Sequence, residues 1–196
     1  MSDTHKLLLA ALHDYQTRWP AEADTVERFR VLAEDWPASL ERTTIHPGHF
    51  TASAWVATPD GAAVLLTHHK KLDKWLQMGG HADGESDLPA VAVREAYEES
   101  GAENLRPALL GDAGIAPEWR IFDLDIHDIP RFNTTPPHQH FDVRFAYCAP
   151  GQFDPVISHE SHDLQWVPLA ELHRYTRERS MTRMADKWSR IDRPVP

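Results

Sequence analysis

The chain contains one cysteine, Cys148, in 196 residues. A lone thiol excludes an internal disulfide and agrees with a reducing compartment. No apolar run approaches the roughly 20 residues needed to cross a bilayer, so no membrane partner is expected. Met1 to Lys6 lacks the basic stretch and small-residue cleavage site of a secretory leader. The expected location is therefore cytoplasmic. Positive charge is scarce: 20 lysines and arginines face 30 acids, a net charge of -10 with histidines neutral. That balance argues against bulk nucleic acid binding, which needs a basic footprint. It leaves room for a small phosphorylated substrate, because a metal ion supplies positive charge locally. The sequence shows no internal repeat, no low-complexity tract, no phosphate-cradling glycine loop and no Ser-His-Asp pattern.

What is present fits a soluble globular chain, 41% hydrophobic and 26% charged. The length suits one domain of ordinary size with an appendage. Residues 4–18 place Leu8, Leu12 and Tyr15 at helical spacing, and Trp19-Pro20 ends that run. A second helix opens at Asp24 or Thr25, carries Val26, Phe29, Leu32 and Ala33 on one side, and stops near Trp36-Pro37. Residues 1–40 thus read as a helical extension, a scaffold on the main domain of residues 41–196. Two amphipathic helices placed there are also compatible with a homodimer. Phe50 to Thr58 and Ala62 to Thr67 read as strands around the turn Pro59-Asp60-Gly61. Trp75 to Met78 is a short strand entering Gly79-Gly80. Ser86 or Asp87 caps a helix that ends at Gly101, with Pro89 in its first turn. Further strands are expected at 104–111, 118–127, 139–148 and 163–167, and helices over Pro168 to Tyr175 and Met181 to Ser189. This order reads as α+β, a sheet sandwiched between helices, rather than a regular βαβ repeat.

The most informative run is Arg94-Glu95-Ala96-Tyr97-Glu98-Glu99-Ser100-Gly101. On a helix, Glu95 and Glu99 share one face, where like charges repel. A hard divalent cation, Mg²⁺ or Mn²⁺, takes oxygen ligands and offsets that repulsion. Arg94 and Glu98 stand on the neighbouring stripe at pairing distance.

Counted back to Gly80, the run completes a longer pattern. It resembles the signature of the Nudix hydrolases: glycine-x5-Glu-x7-Arg-Glu-U-x-Glu-Glu-x-Gly-U, where U is bulky and apolar. Gly80, Arg94, Glu95, Glu98, Glu99 and Gly101 match, and the resemblance extends from about Phe50 to about Leu172. It implies an α/β/α sandwich with a mixed sheet. It further implies a metal site of the Gly80 carbonyl with Glu95, Glu98 and Glu99, and water attack on a diphosphate bond. Arg94 supports the site in that reading. There are two departures. Ser86 stands where the first glutamate belongs, with Glu85 one residue early, and Ala96 and Ala102 are small for the apolar positions. Either Glu85 takes over the missing interaction or it is lost; Asp83 and Asp87 are further loop acids.

The same resemblance extends to the flanks. His68-His69-Lys70-Lys71 and Gly79-Gly80-His81 look like a bacterial Nudix subgroup, which implies phosphate contacts for Lys70 or Lys71 and a place beside the metal for His81. Nudix domains often carry a glutamate shortly before a Trp-Val-Pro-Leu junction, which makes Glu160 a general base or an extra metal ligand. The base is then Glu98, Glu160 or a loop acid. Alternation puts His138, His140, Asp142 and Arg144 on one face of a strand, as substrate or metal contacts or as a solvated sheet face. His138 and His140 also have the spacing of a two-ligand transition-metal site, but no cysteine or His-Glu-x-x-His helix completes one. The reading with most support is a Mg²⁺- or Mn²⁺-dependent hydrolase of a nucleoside diphosphate linked to another group. The alternatives are a nucleotide-binding module without turnover and an isomerase on the same scaffold. The isopentenyl-diphosphate isomerases use a cysteine acid, but nothing around Cys148 resembles their catalytic segment.

Overall fold

A computed structural model describes residues 3–109 and 114–191. Two helices come first, α1 (Asp3–Arg18) and α2 (Ala23–Asp35). Each buries one stripe: Leu8, Ala11, Leu12 and Tyr15 on α1, and Val26, Phe29, Leu32 and Ala33 on α2. This is the spacing an amphipathic helix needs to turn one face to a core. Strand β1 (His49–Ala57) follows, then β2 (Ala63–His69), β3 (Lys74–Leu76) and β4 (Met78–His81). Helix α3 (Leu88–Ser100) carries the acidic run. After it come β5 (Arg106–Pro107), β6 (Asp123–Ile129), β7 (His138–Cys148), β8 (Ser161–Pro168), and the short helices α4 (Leu172–Tyr175) and α5 (Arg179–Trp188).

Among the described residues, the eight strands form one mixed sheet. Its spine is β1 lying parallel to β7 along its whole length, from His49 opposite His140 to Ala57 opposite Cys148. On its other side β1 changes partner. Its first half pairs with β4 and its last residues pair with β2, both antiparallel. The Gly79-Gly80 segment sits in that fork, opposite Ser53 and Ala52.

Helices cover both sheet faces. On one, Phe50, Ala52, Ala54 and Val56 of β1 pack with α1, α2 and the buried side of α3. On the other, Trp55, Val64 and Leu66 pack with Met181, Met184 and Trp188 of α5. The N-terminal helices therefore share one apolar core with the sheet. No described helix is long and apolar enough to cross a membrane.

Three local expectations change. The strand expected at 104–111 shrinks to Arg106–Pro107, since Pro107 has no N–H to extend a ladder; its last two positions lie outside the described residues. The strand expected at 118–127 begins later, at Asp123, because Pro117 sets a tight 3₁₀ turn over Pro117–Trp119. The helix expected over Pro168 to Tyr175 opens as a 3₁₀ turn, Leu169–Glu171, and is α-helical only over Leu172–Tyr175.

Candidate active site

Helix α3 is held at both ends by local chemistry. The Asp87 carboxylate accepts from the Ala90 N–H at 3.1 Å as its N-cap. Gly101, at φ 74°, ends it in the left-handed conformation that favours glycine. Val91, Ala92 and Ala96 face the core, which leaves Glu95 and Glu99 aimed at the β4 segment. Ala96 is fully buried against that layer, so its small size is a packing solution.

Glu99 is buried, and its Oε1 accepts from the Gly79 N–H at 2.8 Å. Burial pushes its pKa up to about 8; the Gly79 bond opposes this, while the Glu95, Glu160 and Glu98 charges add to it. Burial also raises Glu95, partly offset by Arg94. The Arg94 Nη2 donates to Glu95 Oε1 at 3.0 Å, and its Nε lies 3.8 Å from Glu98. Gly80 completes the approach. A Cβ placed there would stand 2.5 Å from the Glu95 carboxylate, so only glycine lets that group reach the β4 backbone. Glu98 is mostly exposed, with a side chain 59% accessible.

A divalent cation fits this donor set. Two carboxylates converge on the β4 backbone, and burial raises the pKa of both, with the Glu95 charge adding to the rise at Glu99. Such a pair lacks a positive charge more than anything else. Glu95, Glu99 and the Gly80 carbonyl are the oxygens that would hold the ion, with Glu98 at the rim.

The loop before α3 explains the departure at position 86. The Ser86 hydroxyl is hydrogen bonded to that of Thr4 on α1 at 2.8 Å. The N-terminal extension thus takes up the position where the signature has a glutamate. Glu85 is exposed and accepts from the Asp87 N–H at 3.1 Å, an arrangement that orders the loop. Asp83 pairs with Arg42. Of the loop acids, Asp87 caps the helix, Glu85 braces the loop, and Asp83 holds the segment ahead of β1.

Glu160 lies on the loop before β8, and its backbone carbonyl accepts from the Lys70 N–H at 2.9 Å. Its charge reaches both Glu95 and Glu99. A cavity of 320 Å³ opens here, lined by His69, Lys70, Lys71, His159 and Glu160. Lys70 Nζ donates to the His159 carbonyl at 2.8 Å. Two lysines thus line the same cavity as Glu160, an acid outside α3 whose charge acts on the carboxylate pair.

The polar row on β7 divides in two. Phe141, Val143 and Phe145 face the core on one side, as alternation requires. On the other side, Asp142 and Arg144 are buried, not a solvated face. Arg144 donates to Asp142 at 2.7 Å, Asp125 at 3.1 Å and Asp123 at 3.2 Å. Burial alone would lower its pKa; the three carboxylates outweigh that and raise it. The expectation of substrate contact through Arg144 is corrected, since its guanidinium is 4% exposed and committed to these acids. Asp142 in turn accepts from Thr51 and Ser53 of β1. Arg183 and Lys187 of α5 reach the same Asp123, which anchors α5 to the sheet.

His138 and His140, at the start of the row, meet two rings from other strands. His49 of β1 and His81 of β4 lie within ring contact of His140, at 4.7 and 5.0 Å between centroids. Burial lowers the pKa of His49, of His140 and of His81, the last to about 4. His49 has no place in the expected site. Its only sequence signal is its position at the head of a strand, and the partner strand that gives it meaning lies 91 residues further on, at His140. Cys148 is at the far end of β7, opposite Ala57. Ala52, beside Gly80, is five residues away along β1, roughly 17 Å. That distance keeps Cys148 out of the carboxylate site.

The NUDIX domain model matches residues 47–187. Similar solved structures include a NUDIX-family hydrolase from Clostridium perfringens, 25% identical, with TM-score 0.52, covering 72% of this chain and 96% of that one. The E. coli dihydroneopterin triphosphate pyrophosphohydrolase is 16% identical, with TM-score 0.52, covering 70% and 92%. A MutT protein from Methanosarcina mazei is 18% identical, with TM-score 0.50, covering 72% and 92%. No curated protein matches this chain significantly. With its signature helix, its mixed sheet and a family match over most of its length, this chain belongs to the NUDIX domain family, the hydrolases of phosphorus-containing anhydrides.

Proposed function

We propose that this protein hydrolyses a diphosphate bond in a nucleoside diphosphate linked to another group, with Mg²⁺ or Mn²⁺ as its cofactor. The observation that carries this reading is the pair Glu95 and Glu99 brought against the Gly79-Gly80 backbone, with no cationic partner for Glu99 among the described residues. When bound there, the cation polarises the diphosphate and lowers the pKa of an attacking water.

The side chains do the rest. The Gly79 N–H holds one oxygen of Glu99 and leaves the other for the ion. Arg94 orients Glu95 in the same way. The water oxygen attacks one phosphorus, the P–O–P bridge breaks, and the second phosphate leaves with the bridging oxygen. The proton of the water goes to a carboxylate. Our candidates for that base are Glu98 on the exposed rim and Glu160 in the cavity lining, whose charges both act on Glu99. Lys70 and Lys71 line the cavity beside Glu160, where phosphate charge is favoured. The partner is a small nucleotide-like molecule, consistent with a chain of net charge -10 that gathers positive charge only locally.

The test is a panel of nucleotide sugars, dinucleoside polyphosphates and nucleoside triphosphates with Mg²⁺ or Mn²⁺. At least one class should be cleaved, and Glu99→Gln should lower kcat/KM by about a hundredfold or more. Undiminished activity in Glu99→Gln overturns the metal assignment. Binding of the panel without cleavage would instead favour a sensing module, for which the Ser86–Thr4 contact at the glutamate position is the structural motive.

A further inference from the structure

We propose that His49, His138 and His140 form a second metal site, built from imidazole and suited to zinc or a similar late first-row transition ion. The site is distinct from the carboxylate site and belongs to the opposite face of the sheet. Its three ligand nitrogens lie within 4.8 Å of one another. They come from two strands, since His49 is paired with His140 and His138 shares the His140 face by alternation.

The hydrogen-bond partners decide where the lone pairs point. The His49 Nδ1 is 2.9 Å from the Thr44 carbonyl, which can only accept. Nδ1 therefore carries the proton, and Nε2 of the neutral ring is a bare acceptor. That Nε2 is buried and has no hydrogen-bond partner among the described residues. Among side chains so placed, an unsatisfied nitrogen aimed into a cluster of like nitrogens calls for a ligand. The His138 Nδ1 is likewise 2.9 Å from the Pro136 carbonyl, which bares its Nε2 as well. That atom stands 3.2 Å from His140 Nε2. Two nitrogens on a tetrahedral zinc stand roughly 3.3 Å apart, given bonds of about 2.0–2.1 Å. Two of the three rings thus have the arrangement that metal-bound histidines adopt, with one nitrogen on a backbone carbonyl and the other facing the ion.

The donor type separates this site from the first. Imidazole nitrogen suits zinc, nickel and copper, whereas carboxylate and carbonyl oxygen suit magnesium and manganese. A fourth position is open to water or to His81, whose ring is 5.2 Å from that of His49 and 5.0 Å from that of His140. His81 follows Gly80 directly, so strand β4 carries a group of each site.

The test uses the full chain, stripped with a chelator and titrated with Co²⁺ as a spectroscopic stand-in for zinc, and with Zn²⁺ by calorimetry. The expected result is about one Co²⁺ per chain with the intense visible bands of tetrahedral nitrogen coordination, not displaced by excess Mg²⁺. His138→Gln, at a half-buried position, and His140→Asn should each weaken binding by about tenfold or more. Glu99→Gln should leave it intact. The proposal is overturned if Co²⁺ and Zn²⁺ do not bind, if Glu99→Gln abolishes the tetrahedral spectrum, or if folded His138→Gln binds as tightly as the parent. Because the readout is binding at nitrogen, its failure says nothing against hydrolysis at Glu95 and Glu99, and loss of hydrolysis says nothing against it.

Discussion

Two clusters of metal-type ligands lie near one strand end and differ in how they are built. The carboxylates Glu95 and Glu99 come from a single helix, four residues apart, and a glycine lets one of them close on β4. The histidines His49, His138 and His140 come from two strands that meet only because β1 runs parallel to β7. In the first, the ligands are neighbours in sequence, and repulsion between them is the signal. In the second, the ligands are distant, and a buried nitrogen without a partner is the signal. Behind the histidines, on the same β7 face, the charges are already paired: Arg144 sits among Asp123, Asp125 and Asp142. Polar rows on one strand therefore need separate readings, as ligands at one end and as a charge lock at the other.

The largest effect should come from breaking that lock. Arg144→Met strips Asp142 of its cation and leaves Asp123 and Asp125 with only Arg183 and Lys187 of α5, and loss of one partner of such a buried set costs roughly 3–5 kcal/mol. Chemical denaturation of the variant should show it. A loss below about 1 kcal/mol would mean that Arg183 and Lys187 suffice, and that the two halves of the β7 row are less different than their contacts imply.

A smaller effect concerns pH and the carboxylate end. The folded chain keeps the Glu99 proton up to about pH 8, while the unfolded chain releases it near 4.5. In metal-free protein this contribution to stability is fully present below about 4.5 and is lost as pH rises through about 8. Saturating Mn²⁺ should flatten the fall, because the ion favours the ionised form. Melting temperature against pH, with chelator and with Mn²⁺, measures both arms. Parallel curves in the two conditions would remove Glu99 from the ion.

The smallest effect tests the loop that leads into α3. Thr4→Ala removes the hydroxyl that holds Ser86 and should cost about 0.5–1.5 kcal/mol. The same change should alter kcat/KM for the panel substrate by only a few-fold, since neither group reaches Glu95 or Glu99. A larger kinetic loss would tie the N-terminal helices to catalysis rather than to support of the loop.

Much of the carboxylate site is legible in the sequence because its parts are local. Helical spacing aligns Glu95 with Glu99, Asp87 caps the helix, and Gly101 stops it. Arg144 is read only halfway. Alternation assigns its face, but the acids that surround it arrive from β6 and from its own strand, so burial and pairing are invisible in one dimension. Ser86 is similar: a departure from a pattern in the chain, and a contact to Thr4 in the fold.

By itself, then, the sequence determined the helix that presents two carboxylates, the glycine that admits one of them, and the family to which that pattern belongs. These depend on spacings of a few residues, which backbone geometry converts directly into shared faces. The tertiary structure alone decided which strands would be neighbours. The parallel pairing of β1 with β7 joined His49 to His140 and enclosed Arg144, because long-range strand order follows from burying both faces of the sheet, a condition that no single segment carries.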